Sequence, residues 1–160
     1  MTAFANASTS GTGTPSTQTN DSAPTGAVGE FVTATVATPG SALTTATPLN
    51  VTSVPLTAGD WDVSASIDYL YTAATVTDSR GGPSLNSATL PTQAGGAGLG
   101  TDALVIDAAN FVTISDTESL IIPPVRVSVA VTTTVFLVAQ CTFSVGTVSA
   151  FGTIRARRPR

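Results

Sequence analysis

The stretch Asp60–Tyr71, DWDVSASIDYLY, decides the fold because its side chains alternate between two faces along its whole length. One face carries the large apolar residues and alanine: Trp61, Val63, Ala65, Ile67, Tyr69 and Tyr71. The opposite face carries Asp60, Asp62, Ser64, Ser66, Asp68 and Leu70. This period-two pattern predicts a half-buried antiparallel β-strand whose apolar face lies in the core.

The flanking segments extend the all-β prediction. Leu49–Leu56 is a second strand candidate, and Thr57-Ala58-Gly59 is a turn between it and the first strand, so the two together predict a β-hairpin. Thr132–Phe143 is β-branched and apolar on both faces, which predicts a central strand covered on both sides. Further strand candidates are Glu30–Val36, Ala73–Thr77, Ser84–Leu90, Leu104–Ile114, Ser119–Ile122, Val125–Val131 and Val148–Arg157.

The predicted breaks between strands are rich in glycine and proline. They are Arg80–Pro83, the glycine run Gly95–Gly100, and Pro123–Pro124. Apart from these breaks, Ala103–Phe111 is compatible with a turn of helix. Short strands at this spacing predict an antiparallel β-sandwich or jelly roll. We therefore predict an all-β fold, with a jelly-roll domain over residues 29–160 that follows an extended arm over residues 1–28.

The arm is a tract of Thr, Ser, Gly, Ala, Pro and Asn with almost no large apolar side chains. Such a tract cannot bury enough surface to offset its own ordering entropy, so we expect neighbouring subunits of a large assembly to hold it. Its candidate partner contacts are Phe4, Pro15 and Pro24.

The chain has few charged residues and no histidine, and the lack of histidine excludes several kinds of chemistry. Charged residues make up 10% of the chain, against roughly a quarter in ordinary soluble domains. This composition suits a subunit that covers its surface with copies of itself, although a merely alanine-rich composition is the alternative. There is no histidine, so Ser-His-Asp and Cys-His catalysis and ordinary zinc sites are excluded. We predict no enzyme activity, no cofactor and no metal.

The C-terminal stretch Arg155–Arg160 holds four of the six basic residues, namely Arg155, Arg157, Arg158 and Arg160. These arginines could pair with carboxylates of a neighbouring subunit, because guanidinium binds carboxylate in a bidentate manner. A solvated chain end and a nucleic-acid patch are the alternatives, but a net charge of −4 and the lack of lysine weaken the latter.

Two further features have ordinary structural interpretations. Asp60 and Asp62 point the same way about 7 Å apart, which fits a glycosidase carboxylate pair, or with Asp68 a weak calcium site, but a solvent-facing polar stripe is the favoured interpretation. Cys141 lies in an apolar strand pattern and is predicted to be a small buried hydrophobe.

The N-terminus shows no basic and apolar signal-peptide pattern, so secretion is not expected.

Two segments resemble a known class of proteins. Asn50–Val63, NVTSVPLTAGDWDV, is similar to a recurring segment of small tailed-bacteriophage virion proteins. The ending, from Val135–Gln140 through Phe143 to Val148–Arg158, resembles the close of the same proteins. The resemblance covers about residues 28–158, lies in the pattern rather than in one motif, and implies a trimeric jelly roll without catalytic residues.

This resemblance implies a non-enzymatic structural protein of a phage particle, assembled in the host cytoplasm. The expected role is a capsid decoration, cement or head-fibre subunit that binds itself as a homotrimer and binds the major capsid protein or another virion protein through its arm. The alternative is a tail-fibre or baseplate tip that binds a host glycan. No membrane contact is expected, and a nucleic-acid partner is not favoured.

Overall fold

The computed structural model describes residues 23–91, 105–108, 113 and 115–159, and of residues 105–108 the backbone only. Every regular element in these ranges is a β-strand. The strands are β1 Phe31–Ala42, β2 Leu49–Leu56, β3 Gly59–Thr72, β4 Val76–Ser84, β5 Val105–Ala108, β6 Thr117–Val129, β7 Thr133–Phe143 and β8 Thr147–Arg157. The described ranges contain no helix of the length and apolarity needed to cross a membrane.

The strands form two four-stranded antiparallel sheets, ordered β1-β8-β3-β6 and β2-β7-β4-β5. The first strand pairs with the last, the second with the seventh, the third with the sixth and the fourth with the fifth. A chain whose strands pair in this nested way, and then roll so that alternate pairs fall in opposite sheets, is a jelly roll. The predicted all-β sandwich is therefore confirmed.

Strand β3 supplies the centre of the core, as its alternation predicts. Trp61, Val63, Ile67 and Tyr69 have no solvent exposure, and Ala65 and Tyr71 are also buried. Both neighbours of β3, β6 and β8, place their own inward side chains against the same core. Strand β7 is central in the second sheet, with Val138 buried on one face and Val135, Leu137, Ala139 and Cys141 buried on the other.

The predicted hairpin of β2 and β3 is wrong. The two strands are consecutive but lie in different sheets, because β2 pairs with β7 whereas β3 pairs with β6 and β8. The Thr57-Ala58 connection therefore crosses from one sheet to the other. A short connection suits both arrangements, so its length could not distinguish a hairpin from a sandwich corner.

Two predicted breaks are also wrong, because both lie inside strands. Arg80–Pro83 belongs to β4 and pairs with β7. A Cβ on Gly81 would lie 2.3 Å from Ile67 Cδ1 and 2.7 Å from the Val138 carbonyl oxygen, so this glycine permits close approach of the two sheets. Pro123 and Pro124 are exposed on the edge strand β6 at a register shift opposite Ser64, where a missing N–H is tolerated.

Other strand bounds differ in detail. Strand β1 runs beyond Pro39-Gly40 after a register shift. Strand β6 joins the two segments predicted separately as Ser119–Ile122 and Val125–Val131, and it ends before the exposed Val131. Ser84–Leu90 is mostly turns and bends rather than a strand. Of the stretch around 103–114, the described Val105–Ala108 is a strand, and Gly95–Gly100 lies outside the described residues.

Candidate interaction surface

The base of the N-terminal arm is hydrogen-bonded to the end of the last strand. The Gly29 N–H donates to the Arg158 carbonyl oxygen at 2.9 Å, and the Arg158 N–H donates to the Glu30 carbonyl oxygen at 2.9 Å. These bonds continue the β1–β8 ladder past both strand ends. Just before them the chain turns, since the Ala27 N–H donates to the Pro24 carbonyl oxygen at 2.9 Å. Both ends of the described chain therefore lie together at one end of the sandwich.

A buried charged cluster fixes this junction, and we call it the Arg158 cluster: Glu30, Thr57, Ala58, Trp61 and Arg158. Arg158 is 5% exposed and Glu30 is 6% exposed, and Arg158 Nε lies 3.1 Å from Glu30 Oε2. The other two guanidinium nitrogens donate to the Ala58 carbonyl oxygen at 3.1 Å and to Thr57 Oγ1 at 2.7 Å. The guanidinium also lies over the Trp61 ring, 4.4 Å from its centroid.

The neighbours of the Arg158 cluster are adapted to it. The Trp61 indole N–H donates to the Thr57 carbonyl oxygen at 2.9 Å, so the ring is oriented from its polar edge. Gly59 has a φ of +134°, and a Cβ there would lie 1.9 Å from Arg158 Nη1. Only glycine leaves room for the guanidinium in this conformation. The side chain of Arg158 is thus used inside the chain, which differs from its expected role as a partner contact.

Arg155 and Arg157 lie on the outer face of the first sheet, where both are exposed. Cross-strand register places Arg157 between Phe31 of β1 and Asp62 of β3, and Asp62 in turn lies opposite Arg126 of β6. A shallow groove of about 280 Å³ runs along this face. We call it the β8 groove; its lining includes Phe31, Asp62, Ser64, Pro124, Arg155 and Arg157.

The remaining acidic side chains of this face have partners within the chain. Arg126 Nη2 lies 2.9 Å from Asp60 Oδ1, and Ser119 donates a hydrogen bond to Asp68. Asp60 is thus held in an ion pair, and only Asp62 of the three aspartates lines the groove. The polar stripe predicted for the outer face of β3 is what the structure shows. Over the described residues no group of three or more potential metal-ligating side chains is found.

A series of hydrogen-bonded polar side chains begins in the interior between the sheets. Tyr71 donates a hydrogen bond to Glu118, its hydroxyl lies 2.7 Å from Ser79 Oγ, and Ser79 Oγ lies 3.6 Å from Cys141 Sγ. Burial raises the pKa of the Tyr71 phenol and the pKa of the Cys141 thiol above their ordinary values. Cys141 is fully buried, as predicted, and its hydrogen-bonded neighbours Ser79 and Tyr71 are buried with it.

The predicted partner contacts are distributed as follows. Phe4, Pro15 and Arg160 lie outside the described residues, and Pro24 is exposed in the turn before the arm base. The sequence interpretation missed Glu30 and Phe31. A signal for the Arg158 cluster was present, because the inward alternation Ile154, Ala156 continues to Arg158. An arginine on the core face requires a buried carboxylate, and Glu30 supplies it.

Comparison with known proteins finds similarity among solved structures. No family model matches the chain, and no curated protein matches it. Among solved structures it is similar to the structure of infectious bursal disease virus Gx strain, with 12% identity and a TM-score of 0.45. It is also similar to the VP2 subviral particle of infectious bursal disease virus, with 15% identity and a TM-score of 0.41. Each match covers 79% of this chain and 32% of the other.

Proposed function

We propose that this chain is a non-enzymatic structural protein of a bacteriophage virion. Its role is that of a capsid decoration, cement or head-fibre subunit, and it binds the coat lattice as a homotrimer through residues 1–28. The sequence resemblance to phage virion proteins motivates the assignment. The structural observation that supports it is the Arg158 cluster, which holds the residues that follow the arm against a jelly-roll body, at the end where both ends of the described chain lie.

The clamp matters because an anchor must transmit force to the body it holds. The arm base is attached through two backbone hydrogen bonds and a buried ion pair, so a pull on the preceding segment is resisted by the β1–β8 ladder. A segment of low apolar content gains its ordering free energy from a partner surface. Many weak attachments of this kind on one particle would hold the layer by avidity.

The test is deletion of residues 2–22, which leaves the turn at Pro24 and the whole Arg158 cluster in place. We expect the truncated protein to keep its far-ultraviolet circular dichroism spectrum and its thermal transition, but to fail to co-sediment with particles that lack the protein. A second variant replaces residues 2–22 by a Gly-Ser linker of equal length, so that the length of the arm is kept and only its sequence is changed. Full loading of either variant onto particles would overturn the arm as the anchor.

A tail-fibre or baseplate tip that binds a host glycan is the second candidate. In that role the glycan would bind at the β8 groove, because Phe31, Asp62 and two arginines are side chains that can contact a sugar. Immunogold labelling of intact particles separates the two roles. Label spread over the head supports a decoration protein, and label confined to the tail tip supports the glycan-binding role.

A further inference from the structure

The arginines of the β8 groove differ from the other arginines that the structure describes. Arg80, Arg126 and Arg158 each form an ion pair with a carboxylate of the same chain: Asp78, Asp60 and Glu30 respectively. Arg155 and Arg157 have no carboxylate within 4.0 Å among the described residues, and both are exposed on one face. Two adjacent guanidinium groups without an internal partner are available to an external anion.

Their spacing points to an extended ligand. Arg155 and Arg157 are two apart on a strand, so their side chains leave the sheet about 7 Å from each other. Alternate side chains of an extended peptide have the same separation. Phe31 and Pro124 lie in the same groove and give apolar contact for the residues between the acidic ones.

We propose that the β8 groove binds an acidic, extended segment of a partner protein, with two carboxylates at alternate positions paired to Arg155 and Arg157. The inference rests on the proposed function in one respect, since that function makes the partner a virion protein. The groove is then a second contact between body and particle, distinct from the arm.

Charge argues against the other classes of ligand. A nucleic acid needs several cations along its backbone, but this face offers two unpaired arginines beside Asp62, on a chain with a net charge of −4. A neutral glycan would use Asp62 as a hydrogen-bond acceptor, whereas for an acidic peptide Asp62 is a repulsive neighbour. The effect of removing the Asp62 charge therefore distinguishes these ligands.

The experiment measures binding of a labelled peptide, Glu-Val-Glu-Val-Glu, to the full-length protein by fluorescence anisotropy at low salt. The double variant Arg155→Gln/Arg157→Gln should weaken binding by about tenfold, the size expected for two exposed ion pairs. Arg126→Gln is the matched control, because Arg126 is an exposed arginine of the same sheet with its own partner. It should leave binding within about twofold, and Asp62→Asn should tighten it by about twofold or more.

Several outcomes would overturn the proposal. One is that a Gln-Val-Gln-Val-Gln peptide binds as tightly as the Glu-Val-Glu-Val-Glu peptide. The others are that the double variant does not weaken binding, or that Arg126→Gln weakens it as much as the double variant does. Tighter binding of oligothymidylate than of the peptide would assign the groove to nucleic acid. Weaker binding in Asp62→Asn together with competition by a neutral oligosaccharide would assign it to a glycan. Since no particle is present, failure here leaves the arm-deletion result unaffected, and the two proposals fail separately.

Discussion

At the scale of single residues, Arg158 belongs to the most buried of the three ion pairs in the described chain. Its guanidinium holds the buried Glu30 carboxylate and covers Trp61, so removing it leaves a buried charge without its partner. We expect Arg158→Gln to lower the free energy of unfolding by roughly 3–5 kcal/mol, measured by urea denaturation.

Arg126→Gln is the control for that measurement, because it breaks an ion pair whose arginine side chain is 58% exposed. We expect a cost of about 1 kcal/mol or less. The double variant Glu30→Gln/Arg158→Gln should cost less than the sum of its single variants, because both charges are removed together. Equal costs for Arg158→Gln and Arg126→Gln would contradict the assigned role of the cluster.

The two tyrosines give a prediction about pH. Tyr69 and Tyr71 are the only tyrosines of the chain, both are buried, and burial raises the pKa of each phenol above its ordinary value. A phenol whose pKa is higher in the folded than in the unfolded state stabilises the fold fully below the unfolded pKa of about 10. That stabilisation is lost as the pH rises above it, because the unfolded chain then releases protons which the folded chain retains.

We therefore expect stability to fall above about pH 10, the pKa of an unfolded tyrosine. Tyrosinate absorbance should appear together with unfolding measured by Trp61 fluorescence, rather than before it. An early, gradual tyrosinate signal in a protein with native fluorescence would show that a phenol is accessible and would contradict the burial.

The same residue scale shows what sequence could and could not predict. The alternation of β3 identified its six inward residues correctly, because period two is dictated by strand geometry. The arginines near the C-terminus were grouped by charge, whereas the strand separates them by face: Arg155 and Arg157 point outward and Arg158 is buried. The partner that makes the buried arginine tolerable, Glu30, lies far away in sequence, so composition alone could not reveal the cluster.

At the scale of elements, the two misassigned breaks, Arg80–Pro83 and Pro123–Pro124, have one physical cause in common. Glycine and proline mark breaks where the backbone must turn, but they also occur within strands. Glycine occurs where another strand approaches closely, and proline occurs on an edge strand, where a backbone N–H donor is not needed. Gly81 is of the first kind and Pro123–Pro124 of the second. Local sequence cannot tell these uses apart, because the deciding neighbours, Ile67 and Val138 for Gly81, belong to other strands.

The close approach at Gly81 can be tested by adding volume. Gly81→Val should lower the free energy of unfolding by about 1–3 kcal/mol or more, because the new side chain meets both Ile67 and the backbone of β7. Thr77→Val on the exposed side of the same strand is the control and should change stability by about 0.5 kcal/mol or less. Chemical denaturation of both variants is the measurement, and a neutral Gly81→Val would contradict the tight packing of β4.

At the scale of the whole molecule, the nested strand pairing explains why consecutive strands were hard to place. Strands that pair with each other, such as β1 with β8 and β2 with β7, are far apart in sequence, whereas β2 and β3 are adjacent in sequence and lie in different sheets. A pattern of alternation indicates which face is buried and carries no information about which strand lies alongside. The fold class could therefore be predicted from this pattern, but the partners of each strand could not.

The surface of the whole molecule motivates the last prediction. Charged residues make up only 10% of the chain, and the described surface exposes Val28, Phe31, Ile121, Val131 and Val145. In the proposed homotrimer, contacts between copies would cover part of this apolar surface, and a low charge content does little to keep monomers apart in solution. We expect the full-length protein at micromolar concentration to sediment at three times its chain mass of 15.9 kDa. The mass should persist at high salt, because apolar contacts are not screened. A monomer that stays soluble over the same concentration range would contradict the proposed homotrimer.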